Sequence, residues 1–542
     1  MNYTLSLTRH AAETLRAHLL GDRSREQMAI TLCGANRLHR ELRLLVRDVI
    51  LLPPNAFRQQ GVARLELKPE IQAFVHQRAH QHGLIQVDWH SHPGPLAGHS
   101  GRRSSPPAFS ATADHHEAAQ AVYLAHRMDG VPYGSVVVND DGLDARLWLA
   151  GPVKRKARQG GAEVLTFRPT SQPMHSLLLG DLRREVPASA PNGPEGSPAL
   201  SPVYDRQVRA FGVEFQHRLA GLRVGLVGLG GLGSALADHL ARLGVVDWVL
   251  VDPDVVELTN LNRLVNATLA DAQAGRPKVY VARSTVRQSN PKARVRALQT
   301  DVLDPEALRV LKSCDLLIAA TDNHASRMAL NRLAVQYLIP LLHAGFHIGS
   351  SGAPASPSDE VPSSGQCEDC GVQGRSGADL DVSGEFALPD LGRWCLQCAG
   401  IVDTQQAGWE LASEAQREIL RQRGYVAGIP APAVRHLDGV VASLAAAEVH
   451  NLVQAYKPAQ RYLVYDAQRT ELLPLQVTPN PACPVGSPDQ GVLGLGDLEP
   501  LPDYRRGSHL RLPPAGGLGS AENPTLAPAS PSGVQAGRIE PA

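Results

Sequence analysis

Two histidines close an apolar, β-branched run in LIQVDWHSHPG, residues 84–94. Alternate residues on a strand project from one face, so His90 and His92 point the same way. Two imidazoles on one face supply two zinc ligands. A catalytic site then wants a third ligand, a position for water and a carboxylate base. Downstream, FSATADHH (109–116) offers Ser110 and Asp114, with His115 and His116 beside them. Upstream, Glu26 stands just before the apolar run MAITLCG (28–34).

A second chemistry lies in LRVGLVGLGGLGSALADHLARLG, residues 222–244. A buried strand runs into Gly228, Gly230 and Gly233, and a helix follows. The first glycine permits a tight turn and the second lets backbone approach phosphate. The third lets helix and strand pack closely, and the helix N-terminus attracts the anion. A further strand, WVLVDPD (248–254), ends in Asp252, placed to accept from ribose hydroxyls. To this point a dinucleotide oxidoreductase explains the pattern. The next residues do not suit one, and no nicotinamide-facing catalytic group is visible. Asn260, Asn262 and Arg263 crowd the stretch after Asp252, Lys278 opens a helical pattern, and Asp322 follows the strand DLLIAAT. An Arg and a Lys neutralise charge on a triphosphate, and an Asp at a strand end holds Mg²⁺.

Seven cysteines in 542 residues make no disulfide framework. Cys367 and Cys370 (CEDC) and Cys395 and Cys398 (CLQC) have the spacing of a four-thiolate zinc site. Cys33 and Cys314 sit in apolar strand patterns and read as inert core residues. Cys483 stands apart.

These groups need elements to hold them. The length calls for two or three domains. Residues 1–150 read as an α/β unit, with helices over 7–20, 69–83 and 112–127 and strands between them. PASAPNGPEGSPALSP (187–202) reads as a linker. Residues 203–480 alternate strands and helices, the pattern of a mostly parallel, helix-covered sheet. After 484 the chain is rich in Pro, Gly and Ser and reads as disordered. Net charge is zero, which argues against a general grip on nucleic acid or an anionic membrane. No apolar run approaches the roughly 20 residues of a membrane helix. The first twenty residues do not read as a signal peptide, so a cytoplasmic location is expected.

From YDRQVRAFG (204–212) to DGVVASLAAAEVHNLV (438–453) the chain resembles the ThiF/MoeB/ubiquitin-activating family. The resemblance implies MgATP-dependent adenylation of the C-terminal glycine of a ubiquitin-like or sulfur-carrier protein by a homodimer. It implies that Gly228, Gly230, Gly231 and Gly233 cradle phosphates and that Asp252 binds ribose. Asn260, Arg263 and Lys278 would hold the triphosphate and Asp322 the Mg²⁺. Arg206 would reach into the partner subunit's site. In that family a CxxC like CLQC pairs with a second near the domain's end, where this chain has Cys483 and then Gly486. Either CEDC completes the zinc site, which supplies four thiolates, or Cys483 contributes.

Residues 1–150 resemble the JAMM/MPN metalloprotease family, which cuts after the C-terminus of ubiquitin-like proteins. That implies Zn²⁺ on His90, His92 and Asp114, with Glu26 as base and Ser110 as oxyanion donor. The loop is longer than the family's, and its Ser-x-x-Asp becomes Ser-x-x-x-Asp here.

The expected fold class is α/β throughout. A JAMM/MPN-like domain (1–155), a linker (156–200), a Rossmann-like adenylating domain (201–483) and a disordered tail (484–542) follow in order. The expected protein is bifunctional, with ATP, Mg²⁺ and two Zn²⁺, one catalytic and one structural. Its partners would be a glycine-ending carrier and, for ligation, a conjugating enzyme. Three alternatives stand: a peptide-adenylating enzyme, an adenylating enzyme with an inactive first domain used for recognition, and a scaffold for ubiquitin-like partners.

Overall fold

The computed structural model describes residues 1–61, 65–92, 107–128, 130–156, 163–191, 201–350, 380–412 and 434–504. The first half holds β1 (Asn2–Ser6), α1 (Arg9–Gly21), β2 (Met28–Arg37), β3 (Glu41–Leu51), β4 (Phe57–Gln60), β5 (Leu65–Leu67), α2 (Pro69–His82) and β6 (Ile85–Ser91). It continues with α3 (Ala111–Arg127), β7 (Tyr133–Asn139), β8 (Gly142–Lys156), β9 (Glu163–Pro173), β10 (Ser176–Leu178) and β11 (Arg184–Glu185). All strands but β4 and β5 form one mixed sheet in the order β11-β10-β1-β3-β2-β6-β7-β8-β9. Strand alternation sorts its core onto two faces. On β2, Ala29 and Cys33 pack with Leu15 and Leu19 of α1, while Ile30 and Leu32 pack with Val75 and Ala79 of α2.

The linker expected over 156–200 is corrected. Residues 163–173, 176–178 and 184–185 are strands of the same sheet, because β8 runs on past the expected end at 149 and pairs antiparallel with β9. Residues 192–200 lie outside the described set.

The second half begins with α4 (Asp205–Phe211), α5 (Val213–Ala220), β12 (Arg223–Val227), α6 (Gly231–Leu243) and β13 (Asp247–Val251). Then come α7 (Leu269–Gln273), α8 (Lys278–Ser289), β14 (Arg294–Leu298), α9 (Pro305–Leu311), β15 (Leu316–Ala319), α10 (His324–Tyr337) and β16 (Leu341–Ser350). After them lie β17 (Leu380–Ala387), α11 (Thr404–Leu411), α12 (Arg435–Gln454), β18 (Tyr462–Asp466) and β19 (Glu471–Pro474). The eight-stranded sheet runs β14-β13-β12-β15-β16-β17-β18-β19. Its first five strands are parallel and the remaining pairings antiparallel. Val224, Leu226, Leu316 and Ile318 face α6, α8 and α12, while Val227, Leu317 and Ala319 face α9 and α10. Such double-sided burial is what continuous apolar strand runs encode.

The disordered tail expected from 484 is corrected over residues 484–504. Residues 484–504 pack in, with Ser487, Val492 and Leu493 buried. Gly496 bridges to Ala35 of β2, Asp497 N donates to Ala35 O, and Asp497 Oδ1 accepts from Lys312 and Tyr337. Arg47 donates to the carbonyls of Pro488, Gly491 and Leu493. This strap therefore bonds to both halves. Gly34 lets it approach, since a Cβ there would lie 2.2 Å from Gly494 O. The halves also meet through Arg9–Asp390, Arg461–Asp181 and Arg43–Asp315 pairs. Residues 505–542 lie outside the described set, and no described helix is long and apolar enough to cross a membrane.

Candidate functional site

The second sheet gathers its chemistry at the carboxyl ends of β12, β13 and β15. Register pairs Val227 with both Val251 and Ala319, so Gly228 lies between Asp252 and Ala320. Gly228 takes φ +86°, and a Cβ there would lie 2.4 Å from Ala320 O. A Cβ on Gly233 would lie 1.9 Å from Gly228 O, which is why α6 needs glycine where it crosses the strand end. Gly230, by contrast, faces open space. The turn thus leaves room for phosphate at the N-terminus of a 13-residue helix.

Asp252 is buried and supports this turn. Its Oδ2 accepts from Leu229 N at 2.6 Å and its Oδ1 from Asp254 N at 2.8 Å, while burial raises its pKa. Lys278 is the first residue of α8, and its Nζ donates to Asp254 Oδ2 at 2.8 Å. Arg263 Nη1 donates to Thr259 O and to Asn262 Oδ1. Asn260 is buried and closes a short turn, its Oδ1 accepting from Glu257 N at 3.1 Å. Asp322 is exposed just past β15, and Arg327 anchors that strand end by donating to Thr321 O. Arg206 lies on α4 with no side-chain partner among the described residues.

Two groups here are not assigned by the sequence. Asp438, four residues into α12, is buried against Gly231 and beside Arg263. Its motif, DGVVASL, is visible in the chain, but nothing local shows which way the carboxylate points. Arg327, which feels the Asp322 charge, also faces a largely buried network. Glu385 accepts from Tyr462 OH at 2.6 Å, and its Oε1 lies 3.4 Å from His343 Nε2. His343, Tyr462 and Arg327 together hold the Glu385 carboxyl below its ordinary range despite burial.

Of the two ways to complete the CLQC pair, the described residues bring Cys483 to it. Cys395 Sγ lies 3.8 Å from Cys398 Sγ and 3.7 Å from Cys483 Sγ. These three form the only metal-compatible group among the described residues. Cys367 and Cys370 lie outside the described residues. Gly486 N donates to Cys483 Sγ at 3.3 Å, and a Cβ on Gly486 would lie 3.7 Å from both the Cys395 and Cys483 sulfurs. Three thiolates suit a thiophilic ion such as zinc.

In the first half His90 and His92 do sit together, ring centroids 5.1 Å apart. Met28 pairs with His90, which brings Glu26 to the strand end that carries His92. Burial pushes Glu26 up to about 7 and His90 down to about 3, His92 and Arg146 adding to the latter. Asp114 does not join them. Arg146, held by Glu117 and lying 3.7 Å over the Phe109 ring, donates Nη1 to Asp114 Oδ1. As described, Asp114 pairs with this guanidinium, one turn into α3, and not with the two histidines. Neither Asp114, His115 nor His116 forms a metal-compatible group with the His90–His92 pair. Ser110 caps α3, its Oγ accepting from Ala113 N at 3.1 Å. Among the described residues no three metal-ligating groups gather at the His90–His92 pair, and no peptidase step is derived from them.

Comparison with known proteins follows this division. The ThiF family model matches residues 204–485. The molybdopterin-synthase adenylyltransferase of Escherichia coli K12 is 29% identical over 289 residues, covering 52% of this chain and 94% of that protein. The SAMP-activating enzyme E1 of Haloferax volcanii is 34% identical over 172 residues, covering 30% of this chain and 63% of that protein. The sulfur carrier protein adenylyltransferase of Thermus thermophilus is 36% identical over 146 residues, covering 27% of this chain and 53% of that protein.

Proposed function

The chain belongs to the ThiF family, and on that premise we propose that it uses MgATP to adenylate the C-terminal glycine of a ubiquitin-like or sulfur-carrier protein. The observation that carries the reading is the single strand-end edge where the glycine turn, Asp252 and Lys278 meet, with Gly230 open to the outside. Three relatives support it by name: an adenylyltransferase for molybdopterin synthase, one for a sulfur carrier protein, and a SAMP-activating enzyme.

In this reading an oxygen of the carrier's terminal carboxylate forms a bond to the α-phosphorus of ATP, and the bond to pyrophosphate breaks. The turn at Gly228–Gly233 admits the phosphates, and Lys278 and Arg263 offset the charge that builds on the leaving pyrophosphate. Mg²⁺ at Asp322 would screen the same charge. Asp252 fixes the turn through Leu229 N. Cys33 and Cys314 are fully buried with their thiols pushed well up, and Cys483 sits in the sulfur cluster. No described cysteine stands ready as a thioester nucleophile, which favours plain adenylation. Cys395, Cys398 and Cys483 are assigned a structural zinc. Exposed Val203, Phe211 and Val213 flank Arg206 in sequence and support a homodimer built on α4. The first half is assigned to recognition of the carrier.

The test is carrier-dependent exchange of labelled pyrophosphate into ATP. Lys278→Ala and Asp322→Ala should each lower exchange by about 10²–10³-fold, the usual cost of removing one charge-stabilising group. Undiminished exchange in both variants would remove the reading.

A further inference from the structure

The opposite, amino-terminal edge of the second sheet holds a different feature. A cavity of about 760 Å³ opens there between the two halves. Its walls come from the β2–β3 turn and β11 on one side, and from the starts of β12 and β15 with α9 on the other. Eight Arg and Lys side chains line it against three carboxylates, Glu41, Glu306 and Asp315. Each of those carboxylates is already paired within the wall. Arg43 bridges Glu41 and Asp315, and Arg296 holds Glu306. Arg37, Arg40 and Arg184 are left with no ion pair or side-chain hydrogen bond among the described residues.

His175 adds a ring N–H donor. Its Nδ1 accepts from Tyr3 N at 3.1 Å, so the ring proton sits on Nε2. Several uncompensated guanidiniums in one concavity repel each other within a screening length of about 8 Å. A ligand carrying several negative charges would offset that repulsion. Guanidinium forks match phosphate oxygens two at a time. The recess falls within the roughly 300–1,000 Å³ typical of small-molecule pockets.

We propose that this inter-half cavity binds a small molecule bearing a polyphosphate chain. Arg37, Arg40 and Arg184 grip it from the first half while Arg223 and Arg309 face it from the second, so one ligand engages both halves. The inference stands independently of the adenylation reading.

Calorimetric titration of the full chain with inorganic tripolyphosphate, at about 150 mM salt to suppress loose ion binding, tests it. Lys278→Ala, which weakens the strand-end triphosphate site, should still bind tripolyphosphate, and the other variants are compared in that background. The triple variant Arg37→Ala, Arg40→Ala, Arg184→Ala should bind at least tenfold more weakly, since removing even one charge-assisted hydrogen bond weakens binding by roughly a factor of ten. Arg40→Ala alone, on an exposed turn, should give a partial loss, and an unchanged unfolding temperature shows these variants to be folded. ATP that competes with tripolyphosphate in Lys278→Ala identifies a nucleotide as the source of the chain; absence of competition identifies an inorganic one. Absence of binding to wild type overturns the proposal. So does binding that Lys278→Ala loses, which places the ligand at the strand-end site, or that the triple variant keeps. A triple variant that loses carrier affinity while wild type ignores tripolyphosphate makes the surface a protein-docking face and also overturns it.

Discussion

Asp438 Oδ2 rests on Gly231: a methyl group at position 231 would stand 2.0 Å from that oxygen. Asp438 Oδ2 is buried and has no hydrogen-bond partner among the described residues. Burial pushes this carboxyl up to about 6, with Arg263 and Arg435 pulling the other way. Gly231 is the first residue of α6, where a phosphate would meet the helix. A buried carboxylate and the glycine turn thus touch at one point, and each limits what the other position tolerates.

Gly231→Ala should therefore destabilise the chain by about 1–3 kcal/mol, the range for forcing a methyl into a packed site. Asp438→Ala should be less harmful in that background than in wild type, because it removes the obstructing oxygen. Urea unfolding of the four proteins measures the coupling. Strictly additive effects would break the link between the two residues.

The same carboxyl makes a pH prediction. Its folded pKa of about 6 lies above the ordinary aspartate value of 3.8. The folded state therefore binds more protons across that window, and this group's contribution to stability falls as pH rises from about 4 to about 6. Asp438→Asn cannot titrate. Its stability relative to wild type should climb through that window and level off above it. A difference that stays flat between about pH 4.5 and 7.5 would show that the group does not titrate in this range.

Arg206 is expected to act in the partner subunit's site. If the chain forms the proposed homodimer, Arg206→Ala and Asp322→Ala should each lose most pyrophosphate exchange, and mixing them should restore part of it in dimers with one complete site. A mixture that stays inactive after demonstrated subunit exchange rejects the shared site.

The sulfur cluster predicts metal behaviour. Cys483→Ser should lower zinc content and the unfolding temperature, because structural zinc contributes directly to folding. Gly486→Cys should raise zinc affinity, since a Cβ there stands 3.7 Å from two of the sulfurs. His92→Ala should leave zinc content unchanged. A fall in zinc content in His92→Ala would restore a metal role to the first half.

The strand-end arrangement is legible in the chain alone because its geometry is local. A strand that runs into Gly228, a helix that starts at Gly231, and Lys278 at the first position of α8 are all consequences of short-range pattern. Two histidines on one strand face follow from the two-residue period of a strand, and they do lie side by side.

Tertiary structure decided the partners. Cys395 and Cys398 are fixed by a CxxC turn, but Cys483, their third sulfur, arrives from 88 residues away from Cys395, and spacing alone favours a different pair. Asp114 sits where a ligand is expected, yet Arg146, brought by β8 from 32 residues on, claims its charge. Residues 484–504 have the composition of a loose tail. They are ordered because glycines at 34, 494 and 496 let backbone meet backbone between two sheets. Composition and periodicity encode what a residue does to its own segment. Which distant charge, sulfur or carbonyl it finally meets is set by how the sheets pack, and that is written in no single stretch of the chain.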